Sequence, residues 1–122
     1  MAPHPISVTP RCPIRTTLEL LGGKWRLLVV HQLAAGPLRF GELKRLLPGV
    51  SEKMLVQELR LLTDAALLSR RNYGEVPPRV EYALTAAGRE ALAVVAAAAA
   101  FGQSYLLAVQ LPPAPDVGIE PA

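Results

Sequence analysis

Three helix-breaking pairs, Gly22-Gly23, Gly36-Pro37 and Pro48-Gly49, interrupt a stretch otherwise patterned for helices. Glycine has backbone freedom that a helix must freeze out, and proline lacks the backbone donor a helix needs. Helices therefore stop at such pairs, and the first half of the chain must be short helices joined tightly.

Apolar spacing places those helices. Ile14, Thr17, Leu18 and Leu21 mark a first, from Ile14 to Leu21, and a second runs from Lys24 to about Ala35 with Trp25, Leu28 and Val29 on one side. Leu38-Arg39-Phe40 is too short for a free strand and is expected to pair as an edge with a later hairpin. A third helix, Gly41 to Leu47, offers Leu43, Leu46 and Leu47 to a core. Ser51, a good N-cap, opens a fourth that runs to about Ala66. The third and fourth make a helix-turn-helix.

The period then changes to two. Leu68 to Tyr73 and Arg79 to Leu84 read as strands, with Val80, Tyr82 and Leu84 alternating with Arg79, Glu81 and Ala83; they form a hairpin across a loop stiffened by Pro77-Pro78. Thr85 caps a long final helix to about Leu111. The expected fold is mainly α with a small β-hairpin wing: a winged helix-turn-helix in the order helix-helix-strand-helix-helix-strand-strand-helix. A chain of 122 residues fits one domain. Residues 12–111 are expected to form it, between proline-rich, flexible segments at 1–11 and 112–122.

Composition narrows the chemistry. Hydrophobic residues reach 51%, but aromatics only 5%, which favours helices packed through aliphatic side chains. One cysteine cannot form an internal disulfide, and with two histidines it cannot complete a four-ligand zinc site, so no metal or cofactor is expected. A reducing cytoplasm is the expected compartment, since the start lacks the pattern of a signal peptide. The uncharged run from Ala91 to Pro115 has the length of a membrane span, but its alanines and Gly102, Gln103, Ser104 and Gln110 weaken the drive into lipid. A second subunit is the expected cover for it.

All thirteen Lys and Arg lie between Arg11 and Arg89, where only seven acids accompany them. Such an excess suits a polyanionic partner, because cations on phosphates supply most non-specific affinity for double-stranded DNA. On a helical wheel of the fourth helix, Leu55, Leu59, Leu62 and Ala66 form one stripe, and Lys53, Gln57, Arg60 and Asp64 stand opposite. Arg and Lys can donate to guanine and Gln can pair with adenine in a major groove. Met54 lies at the edge of the stripe, to fill the core or touch a thymine methyl. Ser51 can meet a phosphate at the positive end of the helix. Arg70, Arg71 and Arg79 flank the hairpin loop and are expected beside this helix, in reach of backbone phosphate.

The segments CPI (Cys12 to Ile14), LLGGKWRLLVV (Leu20 to Val30), GPLRFGELKRLLPGVSEKMLVQELRLL (Gly36 to Leu62) and EVPPRVEYALTAAG (Glu75 to Gly88) together resemble the HxlR-type family of bacterial winged-helix regulators. The resemblance runs from Cys12 to about Gly102. It implies a homodimer formed by the first and last helices, binding operator DNA near genes it represses or activates. It assigns Ser51, Lys53, Gln57 and Arg60 to the reading helix and Arg79 to the wing. Ile14 and Leu18 on the first helix, and Leu92, Val95, Ala99 and Leu106 on the last, are then expected at the dimer interface.

Some family members resemble redox or electrophile sensors with a cysteine just before the first helix, where Cys12 stands. A thiol at a helix start beside Arg11 is expected to be open to attack by oxidants or electrophiles. Oxidation would yield an intersubunit disulfide, an acid or an adduct, with an oxidant or small molecule as effector. The competing reading is structural, with Cys12-Pro13 fixing the start of the helix. An enzyme finds little support: His4 lies in a terminal segment, His31 lies inside a helix, and no nucleophile-base set or phosphate loop is evident. A winged helix used only for protein contacts is the other alternative, and it predicts no salt-sensitive DNA binding.

Overall fold

Leucine and valine spacing, more than propensity, settles which side of each short helix turns inward. The computed structural model describes residues 6–109. Helix α1 (Pro13–Leu21) leads to α2 (Arg26–Gln32), a single 3-10 turn (Leu33–Ala35), strand β1 (Leu38–Arg39), α3 (Phe40–Leu46), α4 (Glu52–Asp64), β2 (Leu68–Asn72), β3 (Val80–Leu84), α5 (Ala86–Glu90) and α6 (Leu92–Ala108). The expected order holds, with the last helix tightened at one point. There Ala91 N bonds to Gly88 O at 3.1 Å and Val94 N to Ala91 O at 3.0 Å. These are i to i+3 bonds, which narrow the turn around buried Ala91. The terminal segments expected to be flexible fall largely outside the described residues, as does the helix end expected at Leu111.

The breaker pairs act where expected. Gly23, Gly36 and Gly49 take φ of 113°, 147° and 93°, a region that costs an L side chain strain. The second helix starts two residues later than the spacing suggests, because Gly23 still holds the chain out of helix and Trp25 becomes its N-cap. Phe40 leaves the edge strand to open α3, whose first turn is tied by Arg39 N donating to Glu42 Oε1 at 2.9 Å.

Val29, Val30 and Leu33 of the second helical segment, Leu43 and Leu47 of the third, and Leu55, Leu59 and Leu62 of α4 are sealed from solvent. Each such side chain contributes roughly 1.5–3 kcal/mol through burial, so α4 is fixed along its apolar side. Ala66 does not continue that stripe. It is exposed with φ of 63°, the left-handed residue that ends the helix and turns the chain toward β2.

The sheet has the order β1-β3-β2, all antiparallel. Leu38 pairs with Tyr82 and Arg39 with Glu81, so the short edge strand forms as expected. Leu68 pairs with Leu84, Arg70 with Tyr82 and Arg71 with Glu81. Side chains alternate between faces along a strand, which sends Leu68 and Arg70 to the face bearing α4 and sends Arg71 to the outer face.

Candidate nucleic-acid interface

Helix α4 is built to show one side. Its N-cap Ser51 accepts from Met54 N at 3.0 Å, which satisfies an amide that the first turn leaves without a partner. With Leu55, Leu59 and Leu62 inward, Lys53, Gln57 and Arg60 stand exposed, and Met54 is 38% exposed at the flank.

Beside α4 a cleft of about 380 Å³ opens toward the wing, lined by Val56, Arg60, Thr63, Asp64, Arg70 and Tyr82, with Leu59 at its floor. Arg60 and Arg70 thus share one concavity. Val56, 43% exposed, adds an apolar surface that the wheel did not single out. A β-branched residue standing off the leucine stripe was its only trace in the sequence.

The other two wing arginines are not beside α4, contrary to expectation, because strand alternation turns them to the outer face. There they gather around Tyr73. The Arg79 guanidinium carbon lies 3.7 Å and that of Arg71 4.6 Å from the centre of the Tyr73 ring. Tyr73 Oη donates to Glu81 Oε1 at 2.7 Å, and Arg79 Nη2 pairs with Glu75 Oε1 at 3.2 Å. The hydrogen bond to the Glu81 carboxylate holds the Tyr73 phenol above its ordinary value, with burial and the Glu81 charge adding to it and the two arginines opposing. The wing is therefore an organised cluster of aromatic and charged groups.

Cys12 caps α1, its Sγ accepting from Arg15 N at 3.4 Å, and it is only 5% exposed. Leu18 and Ile14 on α1 are 63% and 57% exposed. On α6 the residues expected at an interface are partly buried within the chain itself. Leu92 and Val95 pack against the chain's own core, and Val95 and Ala99 face α2 across a groove shared with Leu28 and His31. The outward apolar residues of that helix are instead Phe101, Tyr105 and Leu107, with Val109 just beyond its end, while Leu106 is half-buried. The Phe101 and Tyr105 rings stack at 6.1 Å. Across Ala86–Ala108 the chain is long and apolar enough to cross a membrane by length and composition alone. Half-buried Leu92, Val94 and Val95 pack against the domain core and tie the first turns of that helix to the rest of the fold. Among the described residues no group of His, Cys, Asp and Glu could hold a metal ion.

Two adjoining helices, the second with a polar outward side, followed by a basic hairpin that joins a short edge strand in a three-stranded sheet, define a winged helix-turn-helix DNA-binding transcriptional regulator. Residues 20–110 match the family described as HxlR-like helix-turn-helix, and the chain belongs to that family. It is 48% identical over 77 residues to the HTH-type transcriptional regulator YkvN of Bacillus subtilis, covering 63% of this chain and 65% of that one. A solved MarR-family transcriptional regulator from Porphyromonas gingivalis superposes with a TM-score of 0.75 at 43% identity, over 80% of this chain and 95% of the other. The redox regulator HypR in its reduced form superposes at 0.76 with 34% identity, over 80% and 97%.

Proposed function

We propose that the chain works as a cytoplasmic homodimer that reads operator DNA near the genes it controls, with α4 in the major groove and the wing against the neighbouring backbone. One observation carries this reading: Lys53, Gln57 and Arg60 stand free on the one side of α4 that the core leaves open, with Arg70 across the adjoining cleft. Lys53 and Arg60 donate to guanine O6 and N7, Gln57 pairs with adenine, and Met54 touches a thymine methyl. Ser51 Oγ uses a lone pair on Met54 N and keeps its proton for a phosphate. Arg70, Arg71 and Arg79 serve the backbone, the last two from the outer face of the wing.

The dimer rests on exposed apolar surface. Ile14 and Leu18 of α1 and Phe101, Tyr105 and Leu107 of α6 are too many large apolar side chains to leave in water. A second copy covers them by a two-fold axis, which sets the two α4 helices about 34 Å apart, one turn of DNA.

A titration of DNA from upstream of the chain's own gene, repeated at several salt concentrations, tests the reading. Arg60→Ala or Gln57→Ala should cost about 1–3 kcal/mol on the preferred sequence and little on others. Arg70→Ala should weaken every sequence alike and reduce the salt slope by about one. Affinity that is flat with salt would leave only the protein-contact role.

HypR is a redox regulator, and the position of Cys12 before α1 supports a thiol sensor here too. Two Cys12 thiols of a dimer would give two protons and two electrons to an oxidant such as diamide and join as an intersubunit disulfide. Because Cys12 is buried, reaction must await opening of the first turn of α1. Diamide should therefore produce a covalent dimer on a non-reducing gel and change operator affinity, both absent in Cys12→Ser. A parent chain that stays monomeric on that gel with unchanged affinity would leave Cys12 the cap of a helix and nothing more.

A further inference from the structure

Arg26 joins three helices. Its Nε donates to Glu58 Oε2 of α4 at 2.6 Å, and its Nη1 donates to the carbonyl oxygen of Glu19, in the last turn of α1, at 2.9 Å. The side chains of Arg26 and Glu58 are only 21% and 13% exposed, so this pair is far less screened than one at the surface.

Each contact has a local cause. The Glu19 carbonyl is one of the four that close α1 without a partner in the helix, and a cation there meets the negative end of the helix dipole. The planar fork of a guanidinium can serve two acceptors in fixed directions, which the point charge of lysine cannot. Glu58 follows Gln57 directly and sits on the flank of α4 between its leucine stripe and its open side. The leucine stripe holds one side of α4 inward against any large rotation but is less able to resist a rotation of a few degrees, over which the leucines stay buried. A short, charge-assisted hydrogen bond on the flank does resist it.

We propose that Arg26 is a positioning residue for DNA reading: it fixes the rotation of α4 relative to α1, and through α1 the half-site spacing that the dimer accepts. The proposal rests on the DNA-binding dimer described above. Because α1 lies at the two-fold axis in that dimer, any error in the α1–α4 angle is applied once in each subunit. Gln57 and Arg60 of the two protomers then miss their half-sites in opposite directions.

Two measurements test this. In a Cys12→Ser background, spin labels at Thr16→Cys and Gln57→Cys, diluted with unlabelled chain, read the α1–α4 distance within one protomer. Arg26→Met and Glu58→Gln should broaden that distribution, with Arg26→Lys only partly restoring it, while circular dichroism stays that of the parent. On DNA, unlabelled parent should prefer its natural half-site spacing over one longer by a base pair by about tenfold, the size of a single mismatch. Both variants should lose most of that preference and keep the parent's affinity for non-specific DNA. Glu58→Gln, which preserves shape and an acceptor, carries the test if loss of Arg26 unfolds the chain. Parent-like distances together with a parent-like spacing preference overturn the proposal. If the parent itself shows no salt-dependent DNA binding, the DNA reading falls, and the label distances still decide whether Arg26 holds α1 to α4.

Discussion

Gly88→Ala is expected to lower the thermal unfolding midpoint by roughly 5–20 °C, the consequence of about 1–3 kcal/mol of overpacking in a domain of this size. Gly88 lies in the first turn of α5, where its N donates to Thr85 Oγ1 at 3.1 Å. A methyl group there would stand 2.1 Å from the carbonyl oxygen of Leu67 and 3.2 Å from Leu84 Cδ2. That carbonyl cannot yield freely, because it accepts from Thr85 N at 3.1 Å, while Thr85 Oγ1 donates to Ala66 O at 2.6 Å. Helix α5 would have to lift from the α4–β2 corner and break these bonds. The higher helix propensity of alanine, worth about 1 kcal/mol, works against the loss without cancelling it. Gly102→Ala isolates that propensity term, since nothing lies within 4 Å of its added methyl, and it should raise the midpoint slightly. Calorimetry showing shifts of the same sign for the two variants would refute the close-approach account.

Local chemistry makes much of this fold legible in the sequence. The Gly-Gly, Gly-Pro and Pro-Gly pairs stop helices here, Ser51 and Thr85 cap helices through their own hydroxyls, and Leu55, Leu59 and Leu62 of α4 name their buried side by spacing. The same spacing exposed Lys53, Gln57 and Arg60. Less legible features depend on partners distant in sequence or on patterns without contrast. Arg26 and Glu58 are 32 residues apart, and neither breaks a local rule that would mark it. Sequence alone places Arg70, Arg71 and Arg79 around one hairpin, but only the register with β3 tells which face each one takes.

Helix α6 shows the limit most clearly. A wheel orients a helix by contrast between polar and apolar sides, and a run rich in alanine has none. A wheel therefore gives no side to Leu92, Val95 and Ala99, and the fold turns them toward α2 and the core. Ala66 misleads for a related reason: it keeps the spacing of the leucine stripe while its backbone has already left the helix.

Leu18→Glu, and independently Phe101→Glu, should convert the proposed dimer to a monomer and reduce affinity for a two-half-site operator by about 100-fold or more. Both side chains are exposed in one protomer, at 63% and 71%, so a charge there costs the isolated fold little. In a two-fold interface each substitution appears twice, and burying an unpaired carboxylate costs several kcal/mol each time. Losing one half-site removes the phosphate contacts of one subunit, so the salt slope of the remaining binding should fall to roughly half. Sedimentation of the 13.1 kDa chain reads the first effect, and titration at several salt concentrations reads the second. The two must move together. A variant that stays dimeric yet loses operator affinity would mean that the α1 and α6 surface meets DNA or another partner, whereas a monomer that keeps full affinity and slope would mean that one winged helix suffices.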